Sequence, residues 1–242
     1  LNAALVYALI AAGANLVGGL VITSASTLGR NTQRLLIAFG GGFMLAAALL
    51  AMVPHAMESG EGAAGYVLAG YLLVHLTQHV LTPHFHFGEE THHAEMVNPW
   101  VGITALLGLL LHTFFDGVAI SAAFQVGPSL GMLVFLAILL HKIPEGVTIA
   151  SIMLASGNSR RRAIGGVVLL GVFTVLGVFA TAYTEALQHS GMALSAGVTL
   201  YVAASNLVPE VQKDRNWGRA LSLFAGVATF AAAYAVLGRW MP

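Results

Sequence analysis

The chain has no cysteine and very little charge. The absence of Cys from all 242 residues excludes disulfides and thiolate metal sites, and leaves the redox compartment open. Asp, Glu, Lys and Arg together make up 8% of the residues, against about a quarter in a soluble domain. That is too few to cover a water-facing surface. Acidic and basic residues balance at ten each, with no block of either sign, so nucleic acid is not an expected partner. What fills the chain is hydrocarbon: 57% hydrophobic residues and a mean hydropathy of +0.83. These values indicate an integral membrane protein.

Crossing the hydrocarbon takes roughly 20 mostly apolar residues. Eight such segments can be drawn, at 2–24, 33–57, 64–82, 99–124, 129–156, 162–184, 190–211 and 217–239. The third is the least apolar, because it carries His75, Gln78 and His79. The breaks between them include TLGRNTQR, ESGEG, QVGPS, SGNSRRR, EALQHS and VQKDRNWGR. The expected fold is therefore all-α, one polytopic domain over 1–242 with eight transmembrane helices and a His-rich loop at 83–98. Arg30, Arg34, Arg160, Arg161, Arg162, Lys213, Arg215 and Arg219 all fall in loops on one side of such a bundle, and they are 8 of the 10 basic residues. The positive-inside rule puts that side in the cytoplasm and both termini outside, in a cell (inner) membrane.

Residues 42–55, GFMLAAALLAMVPH, align with 197–210, GVTLYVAASNLVPE, at a constant offset of 155. Gly, Leu, Ala, Val and Pro coincide at 42/197, 45/200, 48/203, 53/208 and 54/209. The two segments would cross in opposite directions, so the relation reads as an inverted repeat, a common architecture of secondary transporters.

The polar residues inside the spans are patterned. The fourth span contains HTFFDGV and the fifth HKIPEGV, both His-x-x-x-acid-Gly-Val. The i,i+4 spacing puts His112 and Asp116 on one helix face, and His141 and Glu145 on another. Consecutive spans run antiparallel, so two imidazoles and two carboxylates can meet at mid-membrane. Ionisable groups at that depth are functional by default. Two carboxylates sharing a dry site must share a proton or bind a cation, and with two histidines they form a ligand set for a divalent transition metal. The alternative is an interhelical hydrogen-bond network that only joins helices. Pro144 has no N–H for the Leu140 carbonyl, which is expected to open the helix beside His141. Met44, after the run Gly40-Gly41-Gly42, offers a soft thioether, but a lone Met in an apolar span reads first as packing.

The two motifs in adjacent spans resemble those of the ZIP (Zrt-/Irt-like) family of divalent metal transporters, in its prokaryotic type. HTFFDG is similar to the family's span-4 motif, and HKIPEG to its span-5 motif. The resemblance implies a transport site shared by spans 2, 4 and 5, between inverted repeats formed by spans 1–3 and 6–8. It implies Met44, His112, Asp116, His141 and Glu145 as ligands. Family members with two metals add three further ligands. This chain departs at all three, with Thr113, Lys142 and Thr174 in their places. An ammonium at Lys142 can stand in for the second cation and neutralise Asp116 and Glu145. The competing reading has Lys142 snorkelling away from the site.

His55 and Glu58 are expected to line the outer entrance. The cytoplasmic loop is expected to bind metal weakly through His75, His79, His84, His86, His92 and His93. The function implied is transport of a divalent ion, zinc first and then cadmium, iron or manganese, toward the cytoplasm, with the ion as cargo and no organic cofactor. The expected partners are metal ions, the lipid bilayer and a second copy of the chain. Two rivals use the same residues. An intramembrane zinc-dependent hydrolase needs a metal-bound water and an acid/base group, and the chain shows neither an HExxH pattern nor an evident nucleophile. A retinal protein would use Lys142 as Schiff base and Asp116 as counter-ion, which eight spans and an adjacent histidine disfavour.

Overall fold

The computed structural model describes residues 2–24, 30–58, 60–78, 99–209 and 217–240, and all regular structure among them is helical. Helix α1 is Asn2–Thr23. Helix α2 begins as Arg30–Ala47, widens into a π turn at Ala48–Met52 and resumes as Val53–Glu58. Helices α3 (Ala63–Leu76), α4 (Pro99–Val126), α5 (Pro128–Ala155) and α6 (Arg160–Tyr183) follow. Helix α7 begins as Glu185–Tyr201 and widens into a second π turn at Val202–Leu207; α8 is Trp217–Trp240.

Among the described residues, six helices are long and apolar enough to cross a membrane: α1, α2, α4, α5, α6 and α8. The other two fall short for local reasons. Helix α3 has 14 residues, about 21 Å at the α-helical rise, and the rest of the expected third span runs into residues outside the description. The regular part of α7 has 17 residues, and its first turns carry Glu185, Gln188 and His189. One expected break is absent. EALQHS is helical, and Thr184 alone, extended at φ −122°, separates α6 from α7. Glu, Ala, Leu and Gln are good helix formers, and polarity by itself does not end a helix.

Proline shapes three helices in two ways. Both π turns stand two residues before a proline, Pro54 and Pro209. A proline gives no N–H to the carbonyl four residues back and crowds it with its ring, and a widened turn absorbs the mismatch. The Val53 N–H then donates to the Ala48 carbonyl, and the Val208 N–H to the Ala203 carbonyl. Pro144 acts differently: α5 runs through it without a break. The expected opening beside His141 is absent, and the Leu140 carbonyl faces α2, where a Cβ on Gly40 would stand 3.6 Å from it.

Large side chains point outward and small ones inward, as expected where lipid is as apolar as leucine and helices associate by close backbone approach. On α1, Val6, Leu9, Ile10, Val17 and Leu20 are exposed, whereas Ala4, Ala8, Ala11, Asn15, Gly18 and Gly19 are buried. Helices α4 and α5 pack on each other at the centre. Helix α1 covers α5 and α6, α6 covers α4, α8 covers α2, and α3 covers α7. Glycines set these contacts in reciprocal pairs. A Cβ on Gly117 would overlap the Thr174 carbonyl, and one on Gly177 the Phe114 carbonyl. Across α5 and α1, Gly146 abuts the Asn15 carbonyl and Gly18 the Ile143 carbonyl. Gly42 and Gly226 do the same between α2 and α8, as do Gly70 and Gly197 between α3 and α7.

Candidate metal centre

Gly127 alone separates α4 from α5, and Pro128 at the first helical position of α5 uses the place where a missing N–H costs nothing. The two helices are therefore antiparallel neighbours, and His112 and His141 lie at nearly equal distances from the turn. Helix α4 supplies His112, Thr113 and Asp116; α5 supplies His141, Lys142 and Glu145. All six are buried.

His112, Asp116, His141 and Glu145 each offer a ligand atom, and these atoms all lie within 4.8 Å of one another. Asp116 Oδ2 is 3.5 Å from His112 Nε2 and 3.4 Å from His141 Nε2, and Glu145 Oε2 is 3.8 Å from His141 Nε2. Bonds of 2.0–2.1 Å to a tetrahedral zinc imply ligand–ligand edges of about 3.4 Å, so the donors already stand close to the spacing of a coordination shell. The Nδ1–H of His141 donates to the Ala137 carbonyl at 3.0 Å. In a neutral imidazole that bond leaves Nε2 as the lone pair facing the carboxylates. The imidazole rings of His112 and His141 have centroids 5.4 Å apart.

Lys142 reaches into this group rather than away from it. Its Nζ is 2.7 Å from Asp116 Oδ2 and 2.7 Å from Glu145 Oε2. Thr113 closes the network: its hydroxyl donates to Glu145 Oε1 at 2.8 Å and accepts from Lys142 Nζ at 3.3 Å. A bare pair of buried carboxylates would be strongly unfavourable, and here a tethered cation stands between them.

Met44 is fully buried, in a core cluster that also contains Phe115, Val118, Tyr201 and Val202. Thr174 on α6 has its carbonyl against Gly117, and its hydroxyl donates to Leu170 of its own helix at 3.3 Å. His55 is half-buried near the end of α2, with its Nδ1–H on the Ala51 carbonyl at 2.8 Å; Glu58 beside it is exposed. His75 is exposed at the end of α3, its ring 6.0 Å from that of Tyr201. His79, His84, His86, His92 and His93, and the whole loop 83–98, lie outside the described residues.

Two asparagines escaped the sequence reading. Asn206, on the π turn of α7, lines a narrow cavity together with Ile37, His112, His141, Pro144 and Glu145. Asn15 is fully buried on α1 against Gly146. The signal for Asn15 was present, as an isolated amide in a 22-residue apolar helix, but α1 carries no motif to say which way it faces.

Two imidazoles and two carboxylates, enclosed and pre-spaced, suit a borderline divalent ion such as zinc. No curated protein matches the chain. A family model described as ZIP Zinc transporter matches residues 88–237, a stretch that contains α4, α5, α6 and α7 and most of α8. Both motif helices lie inside that match, and the chain belongs to the ZIP zinc transporter family.

Proposed function

We propose that the chain carries a divalent transition-metal ion, zinc first, across the cell (inner) membrane toward the cytoplasm, through a centre formed by His112, Asp116, His141 and Glu145 with Met44 beside it. The observation that carries this reading is the convergence of four buried ligand atoms within 4.8 Å at the middle of two apolar helices. Ionisable groups placed there are costly unless an ion or a partner compensates them.

The centre holds one ion. Lys142 occupies the place of a second, and its two 2.7 Å contacts to Asp116 and Glu145 support that role. In the surrounding bundle all eight helices cross, with both termini outside and the arginine-bearing loops in the cytoplasm. Helices α1–α3 and α6–α8 are inverted repeats around α4 and α5. Three observations support the repeat. The π turns precede Pro54 and Pro209 in the same register, the 155-residue offset of the sequence similarity. The contact of α1 on α5 is mirrored by that of α6 on α4, and that of α8 on α2 by that of α3 on α7. The reciprocal glycines fall at matching places in each pair. The His-rich loop serves as a cytoplasmic receiver for the released ion.

The test is uptake of zinc or cadmium into proteoliposomes holding the purified protein, with competing ions added. Saturable uptake that His141→Ala abolishes is the expected result. Absence of uptake by the unaltered protein in either orientation would overturn the reading.

A further inference from the structure

Asn15 is the one amide on the buried face of α1, and the centre described above does not use it. It is 0% exposed, and neither Oδ1 nor Nδ2 has a hydrogen-bond partner. A buried carboxamide left unpaired is destabilising, and an apolar side chain of the same shape would pack at lower cost. Comparable residues avoid the problem: Thr23 on α1 donates to the Gly19 carbonyl at 2.9 Å, and Thr174 on α6 to the Leu170 carbonyl at 3.3 Å. Asn15 sits where Gly146 leaves room, and a Cβ on that glycine would stand 2.6 Å from Asn15 Oδ1. Gly146 follows Glu145, and it lies one helical turn beyond Lys142 on the same side of α5.

The centre creates a need for an acceptor at this place. The Lys142 ammonium holds Asp116 Oδ2 and Glu145 Oε2, the oxygens that an arriving metal ion takes. An ammonium has three donors. Thr113 Oγ1, at 3.3 Å, serves one of them, and loss of both carboxylates leaves the others unpaired in a dry interior, which is strongly unfavourable. The flexible four-carbon stem of lysine allows its head to move while its Cα stays in the helix.

We propose that Asn15 Oδ1 receives the Lys142 ammonium when the transported divalent cation occupies the centre, which makes Asn15 a positioning residue for ion binding. The proposal rests on the transport-centre reading given above. It explains why an amide without a hydrogen-bond partner stands on the face of α1 that meets α5.

Zinc binding to the purified full-length protein, measured by titration calorimetry beside the melting temperature of the metal-free form, tests it with Asn15→Leu, Lys142→Met and the double variant. Asn15→Leu is expected to weaken zinc binding at least about tenfold, the worth of one hydrogen bond to a charged group. Its metal-free melting temperature should equal or exceed that of the unaltered protein, since an unpaired amide is gone. With Lys142→Met already present, adding Asn15→Leu should change zinc affinity by less than about twofold, because the two residues act as one unit. Should the leucine variant fail to assemble, Asn15→Ala carries the same expectations. Unchanged zinc affinity in either Asn15 variant overturns the proposal. So does an equal loss with and without Lys142, which would make the carboxamide a direct ligand. An unaltered protein that binds no zinc would sink the transport-centre reading itself, and this proposal with it.

Discussion

At the scale of single residues, the centre is governed by charge count. Asp116 and Glu145 bring two negative charges when ionised, and Lys142 lies 2.7 Å from both. One divalent ion, with neutral donors from His112 and His141, cancels the two carboxylates and leaves the group with the single positive charge of Lys142. A second would press a dication against the ammonium. At an effective dielectric of about 20 and a separation of about 4 Å, that repulsion is about 8 kcal/mol, roughly six decades in affinity. Lys142→Asp combined with Thr113→Asn and Thr174→Glu should therefore open a second site, visible as a second metal peak in a zinc-soaked crystal of the triple variant; two ions at the centre of the unaltered protein would refute the charge argument. The ligands themselves allow a simpler prediction. Partners that merely orient a ligand are worth 10–100-fold in metal affinity, so loss of a ligand in His141→Ala or Glu145→Ala should weaken zinc binding by at least about 100-fold. Near-normal uptake by these variants, at normal levels in the vesicle membrane, would remove both residues from the site.

At the scale of helices, glycine decides which surfaces meet. Gly117 and Gly146 follow the two acids directly, and each lies against a neighbouring backbone carbonyl, at Thr174 and Asn15. Gly13 and Gly165 sit in equally apolar helices with nothing within 4 Å of a would-be Cβ. The four residues look alike in the sequence and should behave oppositely on replacement by alanine. Gly13→Ala and Gly165→Ala should raise thermal stability in detergent slightly, by up to about 1 kcal/mol, because alanine is the better helix former. Gly117→Ala and Gly146→Ala should lower it by about 1–3 kcal/mol or more, since a methyl group meets backbone that cannot turn aside. Equal melting temperatures for all four variants would show that these close contacts do not hold the bundle together. Gly40, Gly41 and Gly42 extend the same reasoning: they place α2 against Leu140, Leu207 and Leu223 of three different helices.

At the scale of the whole molecule, a chain without cysteine offers a clean test of orientation. Arg161, in the first turn of α6, and Glu61, between α2 and α3, are exposed. In intact cells, a membrane-impermeant thiol reagent should label Glu61→Cys and should reach Arg161→Cys only after the membrane is opened. The reverse pattern would invert the topology. The histidine loop bears on the molecule as a whole because the four ligands proposed for the centre, His112, Asp116, His141 and Glu145, come from α4 and α5. Deletion of residues 84–93 should change the rate or metal sensitivity of uptake and leave transport measurable; complete loss in a correctly inserted protein would make the loop essential.

Much of this was legible in one dimension. Low charge and long apolar runs define a helical membrane protein, because lipid requires each backbone group to be satisfied within its own helix. The i,i+4 spacing of His112 with Asp116 and of His141 with Glu145 puts each pair on one face by helical geometry alone, and a single break at Gly127 brings the faces together. The direction taken by Lys142 was not legible. A long flexible side chain can reach the interface or the centre, and only the packed helices close the first path and set Thr113, Asp116 and Glu145 around its head. The continuity of α5 through Pro144 runs against the opening expected there, since a proline's missing hydrogen bond can open a helix or be absorbed beside a glycine such as Gly40. Asn15 shows the division most clearly. Its polarity is written in the sequence, but its place beside Gly146 depends on which helix α1 covers, and that contact is decided by small residues whose spacing fits several partners equally well.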